Sequence, residues 1–106
     1  MSKEVPQPPL CDKIEHSYQL IGRKWVGLIV RSLIEEPKRF SEIHANIPDL
    51  SKRVLNERLK ELEESGIIFR HVITGRPVRI EYSLTRKGTE LGKALKGLES
   101  WAENWL

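Results

Sequence analysis

Ser51, Lys52 and Arg53 stand in a row, and Asn56 and Lys60 follow at helical steps of four from Lys52. These are groups that can meet a nucleic acid. Lys and Arg neutralise phosphates or donate to guanine O6 and N7, and Ser and Asn hydrogen-bond bases or phosphates. Leu55, Leu59 and Leu62 recur at i, i+4 and i+7, with Val54 beside them. One side of the segment is therefore apolar and the other polar, with Arg58 in the same stretch. A helix that enters a DNA major groove needs this division, because its rear stripe anchors it while its first turns reach base edges. The sum of charges is neutral on the point. Residues 49–66 carry four basic and five acidic side chains, but Lys52 and Arg53 lie in the first turn and Glu61, Glu63 and Glu64 at the far end. The solvated face of an ordinary amphipathic helix would read the same way.

A second basic cluster lies just downstream. Residues 67–80 hold Arg70, Arg76 and Arg79 and no acidic residue. Arg76 sits between Gly75 and Pro77, at the tip of a turn. A positively charged tip beside such a helix suits an adjacent minor groove or its flanking phosphates. An edge hairpin guarded by charge is the competing explanation. Upstream, Lys38, Arg39 and Ser41 border another short helical segment and are placed to touch phosphates.

These residues need elements to hold them. Asp12 is a plausible cap for a first helix, whose face carries Ile14, Tyr18 and Ile21 and which stops at Gly22. A second helix is expected from Arg23-Lys24 to Glu36-Pro37. It is apolar almost all round through Trp25, Val26, Leu28, Ile29, Val30, Leu33 and Ile34, and so should be central and buried. Ser41 caps a short third helix that runs to about Ile47. Ser51 caps the fourth, which reaches about Ser65, with Gly66 just past its end. The period then changes to two. Ile67, Phe69 and Ile73 share a face, with His71 in the same phase and Arg70 and Val72 on the other. After Thr74-Gly75-Arg76-Pro77, Val78, Ile80, Tyr82 and Leu84 alternate with Arg79, Glu81 and Ser83. This is a hairpin with one buried face. Thr85 caps a last helix, along which Leu91, Leu95, Leu98, Ala102 and Trp105 form a heptad-like seam flanked by Trp101. Gly88, Gly92 and Gly97 in this helix point to close backbone approach. Four helices, a hairpin and a helix describe a mainly α (α+β) fold, a winged helix-turn-helix with a C-terminal helix for dimerisation. Residues 1–10, with three prolines, are expected to be a tail, and residues 11–106 the domain.

Composition narrows the function classes. The chain has 106 residues, enough for one domain. Its 18 Lys and Arg against 15 Asp and Glu give a net charge of +3, so any affinity for a polyanion must come from where the charges lie. The longest apolar stretch, Trp25 to Ile34, is too short and too interrupted for a membrane span, which needs ~20 residues. A single cysteine excludes an internal disulfide and suits a reducing, cytoplasmic setting. His16, His44 and His71 are scattered and build no local metal site, and no glycine-rich phosphate loop or paired carboxylates appear. Neither catalysis, a metal nor a cofactor is expected. Cys11, just ahead of the first helix, is the one candidate for thiol chemistry. Lys13 and Asp12 bias that position in opposite directions. A winged helix can also serve as a protein-docking module, a role that would not require the acid-free hairpin.

From Cys11 to the C-terminus the chain resembles the HxlR-type winged helix-turn-helix regulators of bacteria, relatives of the MarR-like regulators. The resemblance is carried by Cys11, Ile21-Gly22-Arg23-Lys24-Trp25, Arg39-Phe40-Ser41-Glu42-Ile43, the run from Ser51 to Gly66, Pro77 to Thr85, and Gly88. Lys52 stands where the family often has proline, and Cys11-Asp12 where it often has Cys-Pro. The resemblance implies a homodimer that binds double-stranded DNA at a near-palindromic operator. The dimer would join through the first and last helices, which carry Ile14, Tyr18, Leu91, Leu95, Leu98, Trp101, Ala102 and Trp105. It also implies that the residue at Cys11 can respond to a small electrophile or oxidant.

Overall fold

The computed structural model describes residues 11–106; the expected tail lies outside them. The chain runs α1 (Asp12–Gly22), α2 (Val26–Ser32), β1 (Lys38–Arg39), α3 (Phe40–Asn46), α4 (Lys52–Glu64), β2 (Ile68–Ile73), β3 (Arg79–Leu84) and α5 (Arg86–Trp105). The three strands form one antiparallel sheet in the order β1-β3-β2. The order of helices and hairpin is the expected winged helix-turn-helix.

Local chemistry explains most boundaries. Ser51 Oγ accepts from the Val54 N–H at 3.1 Å and opens α4. Gly66, at φ +74°, lets the chain turn out of it in a left-handed conformation that other residues rarely adopt. Thr85 Oγ1 accepts from the Gly88 N–H at 3.0 Å and opens α5. Ile29, Val30, Ile43, Leu50, Leu55, Leu59, Leu62, Ile67 and Ile68 then close a core fully removed from water. Truncating one of the leucines to alanine costs ~2–5 kcal/mol in such a setting. The back of α4 supplies three of them, which fixes that helix on the domain.

Several boundaries differ from expectation. Cys11, not Asp12, occupies the N-cap of α1. The second helix starts only at Val26, because Trp25 takes φ +80° and breaks the helical path from Arg23. It ends at Ser32, well before Pro37, and it is buried on one side only. Val26, Ile29 and Val30 face the core, whereas Leu28 is half exposed. Arg39, not Ser41, precedes α3, and its N–H donates to Glu42 Oε1 at 2.9 Å. Strand β1 was not foreseen. Its two residues are too short to show a period, and its pairing with Glu81 and Tyr82 of β3 is a tertiary event.

The hairpin corrects the phase expected for β2. Ile68, Arg70 and Val72 stand opposite Leu84, Tyr82 and Ile80 and so share the inward side of the sheet, on which Ile68 is buried while Arg70 and Val72, farther along the hairpin, are exposed, Val72 by 55%. Phe69, His71 and Ile73 lie on the outer one, and Phe69 is 54% exposed. His71 Nε2 lies 2.8 Å from Ser83 Oγ across that outer face. Gly88 and Gly92 of the last helix do mark close approach, within the chain, whereas a Cβ at Gly97 would meet nothing within 4 Å. A Cβ at Gly88 would lie 2.1 Å from the Ile67 carbonyl oxygen, and one at Gly92 would lie 3.1 Å from Ile34.

Candidate nucleic-acid interface

Helix α4 carries Lys52, Arg53, Asn56 and Lys60 exposed on the side away from Leu55, Leu59 and Leu62. Ser51 is exposed at its start. Its oxygen is used in capping, which leaves its O–H free to donate. Arg53 reaches Glu57 at 3.4 Å, but the Arg53 side chain is 83% exposed. A surface pair of this kind contributes only ~0.3–0.5 kcal/mol, so the guanidinium is easily redirected. Lys52 and Lys60 have no carboxylate partner among the described residues.

Arg58 departs from the group in which the sequence placed it. Its guanidinium donates from Nε to the Lys24 carbonyl at 3.0 Å and lies 3.4 Å from Glu61 Oε1, with the side chain only 13% exposed. The i, i+4 spacing that leaves Asn56 and Lys60 outward turns Arg58 onto the α1–α2 connection. There Arg23 meets the same Glu61 with two hydrogen bonds, at 3.0 and 2.7 Å. That pairing holds the Glu61 carboxyl below its ordinary value and raises Arg23, the Arg23–Glu61 hydrogen bond being the main cause of both.

The three upstream residues separate in space. Arg39 and Ser41 are exposed at the start of α3, and Arg39 Nε lies 3.7 Å from Glu42. Lys38 is largely covered, pairs with Glu36 at 3.3 Å, and lines a cleft with Ser32, Asn46, Ile47 and Lys96. Its side chain follows the inward face of the sheet, opposite Tyr82.

On the hairpin, Arg76 is exposed at the tip and Arg79 at the start of β3. Arg79 alternates with Ile80 and so projects from the outer face. Arg70 takes the other side. It lines a groove between α4 and the sheet with Asn56, Lys60, Glu63 and Tyr82. Sequence reasoning did not place Arg70 beside α4, because it took Phe69 as the inward residue; alternation counted from Ile68 would have found it.

The apolar surface is concentrated on the first and last helices. No residue of α1 is buried; Ile14 and Tyr18 are exposed. On α5, Leu91 and Leu95 pack against the chain's own core, Ala102 is half-buried, and Leu98, Trp101 and Trp105 are exposed, Trp105 by 75%. Ile21, Trp25, Leu28, Leu95, Leu98 and Ala102 line an open, mostly apolar groove between α5 and the start of α2. Cys11 is exposed at the N-cap of α1 and makes no capping hydrogen bond through its side chain. No helix among the described residues is long and apolar enough to cross a membrane.

Comparison with known proteins gives this geometry a context. The family model described as HxlR-like helix-turn-helix matches residues 20–106. The HTH-type transcriptional regulator YvaP of Bacillus subtilis is 48% identical over 100 residues, spanning 94% of this chain and 93% of that protein. The reduced form of the B. subtilis transcriptional regulator YodB superposes with a TM-score of 0.82 at 42% identity, over 92% of this chain and 95% of that one. The quinone-bound form of YodB gives 0.78 at 41% identity, over 91% and 100%.

Proposed function

Since the chain belongs to the HxlR-like helix-turn-helix family, we propose that it is a sequence-specific DNA-binding transcriptional regulator, acting as a homodimer on a near-palindromic operator. The observation that carries this reading is that α4, packed against strand β2 of the wing, turns a polar face with two unpaired lysines to solvent while the wing carries an exposed arginine at its tip. The α4 face holds Lys52, Arg53, Asn56 and Lys60, and the arginine of the tip is Arg76. In each protomer the α4 face enters a major groove, where Asn56 and Arg53 are in reach of base edges. Arg76 and Arg79 hold the neighbouring backbone or minor groove, and Arg39, Ser41 and Ser51 contact phosphates. Lys38 takes part only by leaving Glu36, and Arg58 supports α4 from behind.

Two copies place their α4 helices in successive major grooves, ~34–36 Å apart. The exposed apolar residues of α1 and α5 favour this assembly. Leu98, Trp101 and Trp105 form a surface that a partner helix would remove from water. Cys11, free and exposed, is where an electrophile or oxidant would act. Support for that part comes from YodB, whose solved forms include a diamide-treated and a quinone-bound one.

Selection of bound duplexes from a random pool, followed by binding titrations on the enriched site, tests the reading. An inverted repeat should be enriched, and affinity should fall ~10³–10⁵-fold between 50 and 200 mM salt if ~6–10 phosphates are contacted. The Lys52→Ala/Arg76→Ala double variant should lose most of that affinity. Unaltered binding by the folded double variant would refute the assigned surface.

A further inference from the structure

Adjacent major and minor grooves of a duplex are separated by a single sugar–phosphate strand. A protein that puts a helix in one and a hairpin tip in the other must straddle that strand. In this fold the space between α4 and the base of the hairpin, below its tip, is an open groove of about 490 Å³, lined by Phe40, Asn56, Lys60, Glu63, Arg70 and Tyr82. Arg70 enters it from the sheet side, directly opposite Tyr82 on β3. Lys60 enters it from α4.

Among the described residues the arginines without a carboxylate partner are Arg70, Arg76 and Arg79 of the wing and Arg86 at the start of α5. Arg23, Arg31, Arg39, Arg53 and Arg58 each lie within 4.0 Å of a carboxylate. Arg70 lacks such a partner although Glu63 lines the same groove. An exposed guanidinium on a rigid strand, without a carboxylate partner and facing a lysine across a groove, presents two cationic groups to one linear polyanion. Glu63, one turn beyond Lys60, repels phosphate and limits how far the strand lies toward the end of α4.

We propose that the groove between α4 and the wing is a cradle for the phosphate strand that separates the two DNA grooves, with Arg70 and Lys60 as its two clamps. The proposal rests on the DNA-binding reading above. It adds a contact that fixes the helix and the wing on the same strand and carries no base information.

The test compares wild-type protein, Arg70→Ala and Arg70→Lys on the selected duplex and on an unrelated duplex, across a series of salt concentrations. Arg70 is exposed, so thermal unfolding should confirm that all three fold alike. Each lost phosphate contact lowers the slope of log K against log [salt] by ~0.9. Arg70→Ala should therefore flatten the slope by about 2 for a dimer. It should weaken both duplexes by the same factor and select the same site from a random pool. Arg70→Lys should keep most of the slope. Uncharged methylphosphonate linkages on the strand between the grooves should weaken wild-type binding more than Arg70→Ala binding, which keeps only the Lys60 contact to that strand. An unchanged slope in Arg70→Ala, or an altered base preference, overturns the cradle while leaving the DNA-binding reading intact. Failure of the wild-type protein to bind any duplex overturns both.

Discussion

Arg23 and Glu61, thirty-eight residues apart, form a two-pronged ion pair at 3.0 and 2.7 Å that ties the α1–α2 connection to the outer half of α4. Arg58 joins from within α4 through the Lys24 carbonyl and Glu61. The segment so held contains Trp25 in its left-handed conformation, a costly state for an aromatic residue that its surroundings must enforce. The end of α1 and the helix that carries Asn56 are thus linked by the Arg23–Glu61 pair and by the Arg58 hydrogen bond to the Lys24 carbonyl. The Glu61 carboxyl is held below its ordinary value, mainly by the hydrogen bond from Arg23. A carboxylate lowered in the folded state contributes stability above its unfolded value and loses it as pH falls through the folded one. Glu61→Gln should therefore lower Tm modestly at pH 7, since both side chains are partly exposed and solvent weakens the pair. The difference from wild type should shrink as pH falls below about 4.3, and in high salt. Thermal melts across pH and salt check this; a Tm gap that persists at pH 2 would mean the carboxylate charge is not what Glu61 contributes.

Two glycines of α5 predict opposite signs. A methyl group at Gly88 would be driven into the Ile67 carbonyl oxygen, and backbone cannot yield there as a flexible side chain could. Gly88→Ala should destabilise by ~1–3 kcal/mol or more. A Cβ at Gly97 meets nothing within 4 Å, so Gly97→Ala should stabilise by ~0.5–1 kcal/mol through helix propensity alone. Urea unfolding of the two variants measures both changes.

The exposed tryptophans predict self-association. Trp101 and Trp105 are 52% and 75% exposed, and one turn of helix separates them. A Trp101→Glu/Trp105→Glu variant should sediment as a monomer at micromolar concentration while keeping its helical content. A wild-type monomer under the same conditions would remove the reason for an operator with two half-sites.

Cys11 supplies the last expectation. Diamide or a quinone should change operator affinity of the wild-type protein several-fold, and Cys11→Ser should bind the operator normally and ignore both reagents. A response that survives in Cys11→Ser would place the chemistry elsewhere and leave Cys11 a bystander.

Much of the molecule was legible without coordinates because its signals are local. Ser51, Thr85 and Gly66 act on backbone groups a few residues away, so type and spacing suffice to mark the ends of α4 and α5. The stripe of Leu55, Leu59 and Leu62 is likewise a property of one helix, and it told which side of α4 would be free. The acid-free stretch around Arg76 needed only to be read. What tertiary structure alone decided concerns contacts between distant segments. Ile67, Ile68 and Phe69 are all apolar, so the alternation in β2 allows either phase, and only pairing with β3 and docking on the core chose Ile68 and turned Arg70 toward α4. Arg58 looked like its neighbours until the Lys24 carbonyl and Glu61 claimed it. Trp25 broke a helix that its sequence would continue, and Gly88 proved to face Ile67 of the same chain. A side chain's periodicity records which face it occupies, whereas its partner is set by how separate elements pack, and that information is spread along the whole chain.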